Sequence, residues 1–294
     1  MEIHQLRYFV AVAQEGSFSR AATKVRVAQP SLSQQIQKLE ATLGHRLFDR
    51  LTRRVILTEA GHGLLPFAHR ILNELSSAQR FVEDRDKAPA GTVKIGILPT
   101  IAPYLVKELV GRTGQELARV DLTVVEEVTE QLVQLVDTGE VDLAVISTCR
   151  TGPGIHVERW AQEELVAALP EGHTLAGKKA ISWRHLREEP VLLLHESHCL
   201  SGQIQKSCAR HRLRHKRAGV LQLGTLLEMV AAGTGISLVP RMAVGQQVKG
   251  VVFRPFQEMV PVREINLLRN ASRYQSKAAL AVAEIGRRLV CERV

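Results

Sequence analysis

Cysteine is scarce in this chain. Its four residues, Cys149, Cys199, Cys208 and Cys291, are spread over 294 positions. They are too few and too scattered for a disulfide scaffold, and no Cys-x-x-Cys pair or Cys/His cluster has the spacing of a structural zinc site. In a reducing compartment any disulfide among them is transient and regulatory. Long apolar runs are also absent: nowhere do about 18 uncharged apolar residues follow one another. The start, MEIHQLRYFVAVAQ, lacks an apolar core of signal-peptide length. A cytoplasmic protein with no membrane partner is therefore expected, and nothing in the chain asks for a metal or another cofactor. No internal repeat or low-complexity segment occurs, and 45% hydrophobic with 23% charged residues excludes a disordered chain. Acidic residues are the minority, 30 against 39 Lys and Arg, which leaves a net charge of +9 and points to a polyanionic partner.

What is present explains that charge. Residues 1–58 hold nine Lys and Arg against four Asp and Glu, roughly half of the whole excess. Leu6, Phe9, Val10 and Ala13 recur at helical spacing until Gly16-Ser17 breaks the pattern, and Phe18, Ala21 and Ala22 begin a second short helix. Gln29-Pro30-Ser31 then starts a third helix, whose buried stripe is Leu32, Ile36, Leu39 and Leu43. Its other face carries Gln29, Ser31, Ser33, Gln34 and Lys38, side chains suited to reading base edges in a major groove, with Pro30 placed to press on a thymine methyl. Past Gly44, residues 46–57 resemble a hairpin wing in which Arg50, Arg53 and Arg54 reach phosphates or the minor groove. A polar helix face alone is usually just solvated. The full order of helix, helix, reading helix and basic wing predicts a winged helix-turn-helix that binds double-stranded DNA.

Thr58-Glu59 reads as a cap and acidic first turn of a long helix, along which Leu64, Ala68, Ile71, Leu75, Ala78 and Val82 alternate at spacings of four and three. That period predicts a coiled-coil seam and a homodimer through residues 59–86, with residues 87–91 as a hinge. Beyond it, strand-like runs at 93–98, 122–128, 141–147, 166–169, 191–195, 220–223, 235–240, 251–256 and 265–268 mostly alternate with helical stretches. Such alternation implies an α/β body, and its length suits two small lobes around a crevice. The expected boundaries are 92–163 with 269–294 for one lobe and 164–268 for the other.

The strings AVAQEGSFSRAATKVRVAQPSLSQQIQKLEATLGHRLFDR, LTEAG and VAAGTGISLVP, in this order and over essentially the whole chain, resemble the LysR-type transcriptional regulators. The resemblance implies a periplasmic-binding-protein-like effector body, homotetramers on bipartite promoter sites, contact with RNA polymerase and no enzymatic turnover. HESHCLSGQIQKSC at 195–208 and GILPTIAPYL at 96–105 resemble the hydrogen-peroxide-sensing OxyR branch of that family. That likeness implies a redox switch in which peroxide oxidises Cys199 and Cys208 closes a disulfide. It further implies that Thr100 and Thr129 hold peroxide and water, and that Arg263, in PVREINLL, stabilises the thiolate.

The residues themselves allow both this and a plainer reading. Cys199 follows a strand and sits near the start of a predicted helix, where the dipole and neighbouring cations favour thiolate, with His198 beside it. If 199–208 is helical, nine rises of about 1.5 Å separate the two Cα atoms by roughly 13 Å. A disulfide needs about 5.5 Å, so the helix must unwind for the bond to form. The plainer reading is a buried small hydrophobe at Cys208, an inert thiol at Cys199 and two helix-capping threonines. Since most of the family responds to small organic or anionic effectors, such a ligand between the lobes is the alternative to peroxide. Cys149 and Cys291 are bystanders. Gln222-Leu223-Gly224-Thr225 and the basic run HRLRHKRAG before it depart from the peroxide-sensor pattern.

Overall fold

The computed structural model describes residues 1–51, 54–84, 88–147, 152, 154–245 and 248–294. They form two compact units, one of residues 1–85 with 137–140 and one of 86–136 with 141–294. Arg53, Cys149 and the start of the expected hinge lie outside the described residues, as do the side chains of Arg50 and Arg54.

In the first unit, α1 (Ile3–Glu15), α2 (Phe18–Lys24) and α3 (Gln29–Leu43) precede a hairpin of β1 (Phe48–Leu51) and β2 (Arg54–Leu57), and α4 (Glu59–Glu83) follows. Gly16 and Gly44 end α1 and α3 in the left-handed region, which an L side chain enters only with strain. Pro30 occupies the first turn of α3, where its missing N–H costs nothing. Few aromatics are available, yet Phe9, Phe18 and Phe48 meet in this small core with ring centroids 5.4 and 5.8 Å apart. Each such buried ring contributes about 1.5–3 kcal/mol. Glu40, on the inner side of α3, accepts hydrogen bonds from the Leu47 and Phe48 amides at 2.8 and 3.3 Å, which pins the wing to the reading helix. The Thr58 hydroxyl accepts from the Gly61 amide at 3.0 Å, the expected cap. A Cβ at Gly61 would lie 2.2 Å from the Leu47 carbonyl oxygen, so only glycine lets α4 start this close to the wing.

The expected seam on α4 divides. Ala68 is fully buried and Leu64 packs against the core of its own unit. Ile71 and Val82 are exposed, and so are Phe67 and Phe81, which the spacing analysis passed over.

The second unit runs β3 (Gly91–Ile97), α5 (Ala102–Glu116), β4 (Val120–Glu126), α6 (Thr129–Thr138), β5 (Leu143–Ser147) and β6 (Ile155–Pro170). Then follow β7 (Val191–Leu193), α7 (Cys199–His211), β8 (His215–Arg217), α8 (Leu223–Ala231), β9 (Ser237–Pro240), β10 (Val251–Arg254), β11 (Val262–Asn270) and α9 (Lys277–Arg293). The main sheet has the order β10-β6-β11-β5-β3-β4, with β9 also on β6. Strands β4, β3 and β5 are parallel to one another, while β11 lies antiparallel between β5 and β6.

Strand β6 joins the two halves of the sheet. From Ile155 to Glu164 it pairs with β11, and from Leu165 to Pro170 with β9 and β10. The change of partner lies beside the expected lobe boundary at 163/164, whereas the expected return at 268/269 falls inside β11. Only the last part of β6 reads as a strand in the sequence, because residues 165–169 are all buried while the first half alternates with exposed polar residues. The run 220–223 is not a strand: Gln222 caps α8 and Leu223 begins it. The extra strand is β8, three exposed basic residues paired with β7, which no apolar pattern announces.

Candidate functional site

The reading helix presents the side chains expected of it. Gln29, Pro30, Ser31, Gln34 and Lys38 are exposed and Ser33 is half-buried; Pro30, Gln34 and Lys38 lie opposite the buried Leu32, Ile36 and Leu39. Pro30, Gln34 and Lys38 follow one another at four-residue spacing and form a line along the helix. Gln35 is not available to a ligand in the same way, because its carbonyl oxygen accepts from Gln5 Nε2 at 3.2 Å. Gln37 is exposed three residues from Gln34 and belongs to the same face; that spacing was the signal for it. The wing backbone places Arg50 in β1 and Arg54 in β2.

The second candidate site lies at one edge of the main sheet. Thr100 follows β3, Thr129 opens α6 after β4, and Ser147 ends β5. These strands are parallel neighbours, so their carboxyl ends share one edge, where ligands of α/β sheets collect. Helix α7 abuts that edge, for Gln203 Nε2 donates to Ser147 Oγ at 3.4 Å. Cys199 is the first residue of α7 and lies four residues before Gln203, hence on the same face of the helix. The half-buried Cys199 thus shares the helix face from which Gln203 reaches the end of β5.

Neither threonine caps a helix. Ile101 is the N-cap of α5, and the Thr100 hydroxyl accepts a hydrogen bond from Arg263 Nη1 at 2.9 Å. Thr129 is buried and its Oγ1 has no hydrogen-bond partner among the described residues. His198, the residue before Cys199, is 4% exposed and its Nε2 is also without a partner. Loss of solvation holds the His198 pKa below its ordinary value, only partly opposed by a hydrogen bond to the Leu221 backbone; His195 lowers it further. His198 is thus a neutral imidazole at pH 7 and adds no positive charge beside the thiol.

Arg263 also differs from expectation. It is fully buried, with Nε 2.7 Å from Glu163 Oε2, Nη1 on the Thr100 hydroxyl, and Nη2 donating to the Thr100 carbonyl at 3.2 Å. The guanidinium is therefore already neutralised by a carboxylate. Glu163 escaped the sequence reading because its partner is 100 residues away and no local pattern records that pairing.

Cys199 and Cys208 are both free thiols at opposite ends of one unbroken helical stretch. Cys208 is fully buried in the apolar core, and burial pushes its thiol up to about 11. An alkylating reagent applied to the folded, reduced protein at pH 8 is expected to label Cys199 well before Cys208, as read by peptide mass. Equal labelling would contradict the packing of α7. Cys291 is exposed and its thiol lies 3.5 Å from the Trp160 carbonyl, away from these groups in sequence and element.

Comparison with known families closes the question of class. Residues 3–62 match the bacterial regulatory helix-turn-helix protein of the lysR family, and residues 86–290 match the LysR substrate binding domain. The chain is a LysR-type transcriptional regulator. The regulator is 33% identical over 273 residues to the DNA-binding transcriptional dual regulator OxyR of Escherichia coli K12, covering 91% of this chain and 89% of that one. Among solved structures, full-length OxyR from Pseudomonas aeruginosa superposes with a TM-score of 0.81 at 28% identity, over 99% of this chain and 94% of that one. A hydrogen-peroxide-bound mutant of OxyR from Corynebacterium glutamicum gives 0.67 at 31% identity, over 100% and 94% of the two chains. Among the described residues no helix of the regulator is long and apolar enough to cross a membrane.

Proposed function

We propose that this regulator senses hydrogen peroxide through Cys199, stores the signal as a Cys199–Cys208 disulfide and controls peroxide-defence genes. The observation that carries the reading is a set of buried polar atoms without hydrogen-bond partners among the described residues: His198 Nε2 and Gln203 Oε1, one residue before and four residues after Cys199 on α7, and Thr129 Oγ1 at the strand edge that α7 abuts. A buried polar atom left unpaired costs about 1–3 kcal/mol. Unpaired atoms of this kind on the helix of a half-buried thiol and at the strand edge it abuts suit a small polar ligand that both donates and accepts, as peroxide does. An anionic effector is less suited, because the buried cation of the site is already paired with Glu163.

In the first step the Cys199 thiolate attacks one peroxide oxygen. The S–O bond forms, the O–O bond breaks, and hydroxide leaves and takes up a proton as water, so Cys199 becomes a sulfenic acid and peroxide is reduced by two electrons. In the second step the Cys208 thiolate attacks the Cys199 sulfur, the S–O bond breaks, and a second water is released. Two obstacles stand before that step. The helix holds the Cα atoms roughly 13 Å apart, and burial keeps Cys208 protonated. Unwinding α7 removes both at once, and this makes oxidation a conformational event, not a local one. The likeness to the peroxide-responsive relatives in name and fold supports the same reading.

The output side rests on the winged domain and on α4. Phe67, Ile71, Phe81 and Val82 lie exposed along one helix, an arrangement suited to a second copy and hence to paired reading helices on promoter DNA. Homotetramers and contact with RNA polymerase belong to the same proposal, as does the division of the body into two lobes with a boundary at 163/164.

The test is a brief, near-stoichiometric peroxide pulse on the reduced protein, followed by thiol trapping and peptide mapping. A Cys199–Cys208 disulfide that reductant reverses is the expected product. Four thiols still free would replace peroxide with an organic effector of the crevice.

A further inference from the structure

We infer that Glu163 is a positioning residue for the peroxide site, acting through Arg263 on the hydroxyl of Thr100. The inference rests on the peroxide reading and names a residue outside the set that reading uses. Glu163 and Arg263 face each other as register partners on β6 and β11, and both side chains are completely buried. Each carboxylate oxygen has a separate task. Oε1 accepts from the Met242 amide at 2.7 Å, and Oε2 accepts from Arg263 Nε at 2.7 Å. Held from behind in this way, the guanidinium turns its other two nitrogens onto Thr100, one to the hydroxyl at 2.9 Å and one to the carbonyl at 3.2 Å.

The consequence lies in the proton of Thr100. A threonine hydroxyl has one hydrogen to donate and two lone pairs to accept with. The guanidinium can only donate, so the Thr100 oxygen is an acceptor toward Arg263 and its hydrogen is free for another partner. A charged donor on that oxygen polarises the O–H and makes it the stronger donor. The Thr100 carbonyl is held at the same time, which fixes the residue at the strand edge that α7 abuts. Thr100 thus offers a directed O–H to a peroxide oxygen. Without Glu163 the guanidinium loses the anchor that aims it at Thr100. Because Glu163 also holds the Met242 amide, just after β9, the donor depends on strands from both ends of the sheet being in place.

The experiment compares two reactions of Cys199 in the full-length reduced protein. Oxidation by hydrogen peroxide uses the Thr100 donor, whereas alkylation by iodoacetamide reports only the accessibility and ionisation of the thiol. Glu163→Gln keeps an acceptor for Met242 and removes the carboxylate from Arg263. It is expected to slow oxidation by about tenfold or more while alkylation changes by less than about twofold. Thr100→Val should show the same selective loss, and the double variant should be no slower than Thr100→Val alone, because both act on one hydroxyl. Glu163→Asp should recover part of the rate.

Equal slowing of both reactions by Glu163→Gln, or losses that multiply in the double variant, would overturn the inference. If thermal melting shows that Glu163→Gln does not fold, the paired Glu163→Gln/Arg263→Gln chain, which buries no lone charge, takes its place. It should show the same selective loss, and adding Thr100→Val should cost nothing more; a further loss overturns the inference. A wild-type Cys199 indifferent to peroxide removes the peroxide reading and this one together, whereas normal wild-type oxidation with an unaffected Glu163→Gln removes this one alone.

Discussion

Replacing Cys199 by serine is expected to abolish the response to peroxide while leaving DNA binding by the reduced protein unchanged. Serine is nearly isosteric at this half-buried position, and it is well tolerated in the first turn of a helix. Fold and thermal stability should therefore be close to wild type. What is lost is chemistry: a hydroxyl is not ionised at neutral pH and does not form a sulfenic acid. The measurement is a promoter-reporter or footprinting comparison with and without peroxide, together with melting of the purified variant. A persistent response in Cys199→Ser would sink the sensor reading. Cys208→Ser behaves differently, because its hydroxyl would enter a fully buried apolar site at a cost of about 1–3 kcal/mol. Cys208→Ala is the cleaner partner variant; it should accumulate the Cys199 sulfenic acid without closing a disulfide.

The second large effect concerns DNA. Several cations on the winged domain neutralise phosphates, so affinity should fall linearly with the logarithm of salt concentration, by about 10³–10⁵ between 50 and 200 mM if 6–10 phosphates are contacted. Lys38 stands at the end of the exposed line Pro30, Gln34, Lys38. Should it meet a phosphate, Lys38→Ala lowers affinity for all sequences alike and reduces the salt slope by about one. Gln34→Ala should instead cost about 1–3 kcal/mol on the specific site and little on random DNA, because a lost bidentate base contact removes discrimination. Titrations on specific and random duplexes at several salt concentrations separate the two. Equal losses on both duplexes for Gln34→Ala would move the reading face elsewhere on α3.

Much of the site was legible before any coordinates. The reading helix follows from Pro30 and from the stripe Leu32, Ile36, Leu39, because a local period records which face of one helix is buried. The place of Cys199 near the start of α7 follows in the same way from a strand ending before it and a helix expected from Leu200, one residue after the observed start. The position of β6 was only half visible, and β8 not at all, because three exposed basic residues carry no alternation to read. The α4 seam was visible as a period, but a period does not say who covers it; Ala68 and Leu64 are spent on their own unit.

The sequence by itself determined the class of this protein: the order of elements, the basic reading domain, and two thiols spaced along one helix. Each of these is a short-range property, carried by residues within a few turns of one another. Only the tertiary structure decided the electrostatics around the two thiols. It makes His198 neutral by burial, keeps Cys208 protonated, and gives Arg263 to Glu163 and Thr100. Charge, solvation and hydrogen-bond partners are set by what surrounds a group in space, and here the partners come from β3, β6 and β11, which the chain brings together across 100 and 163 residues.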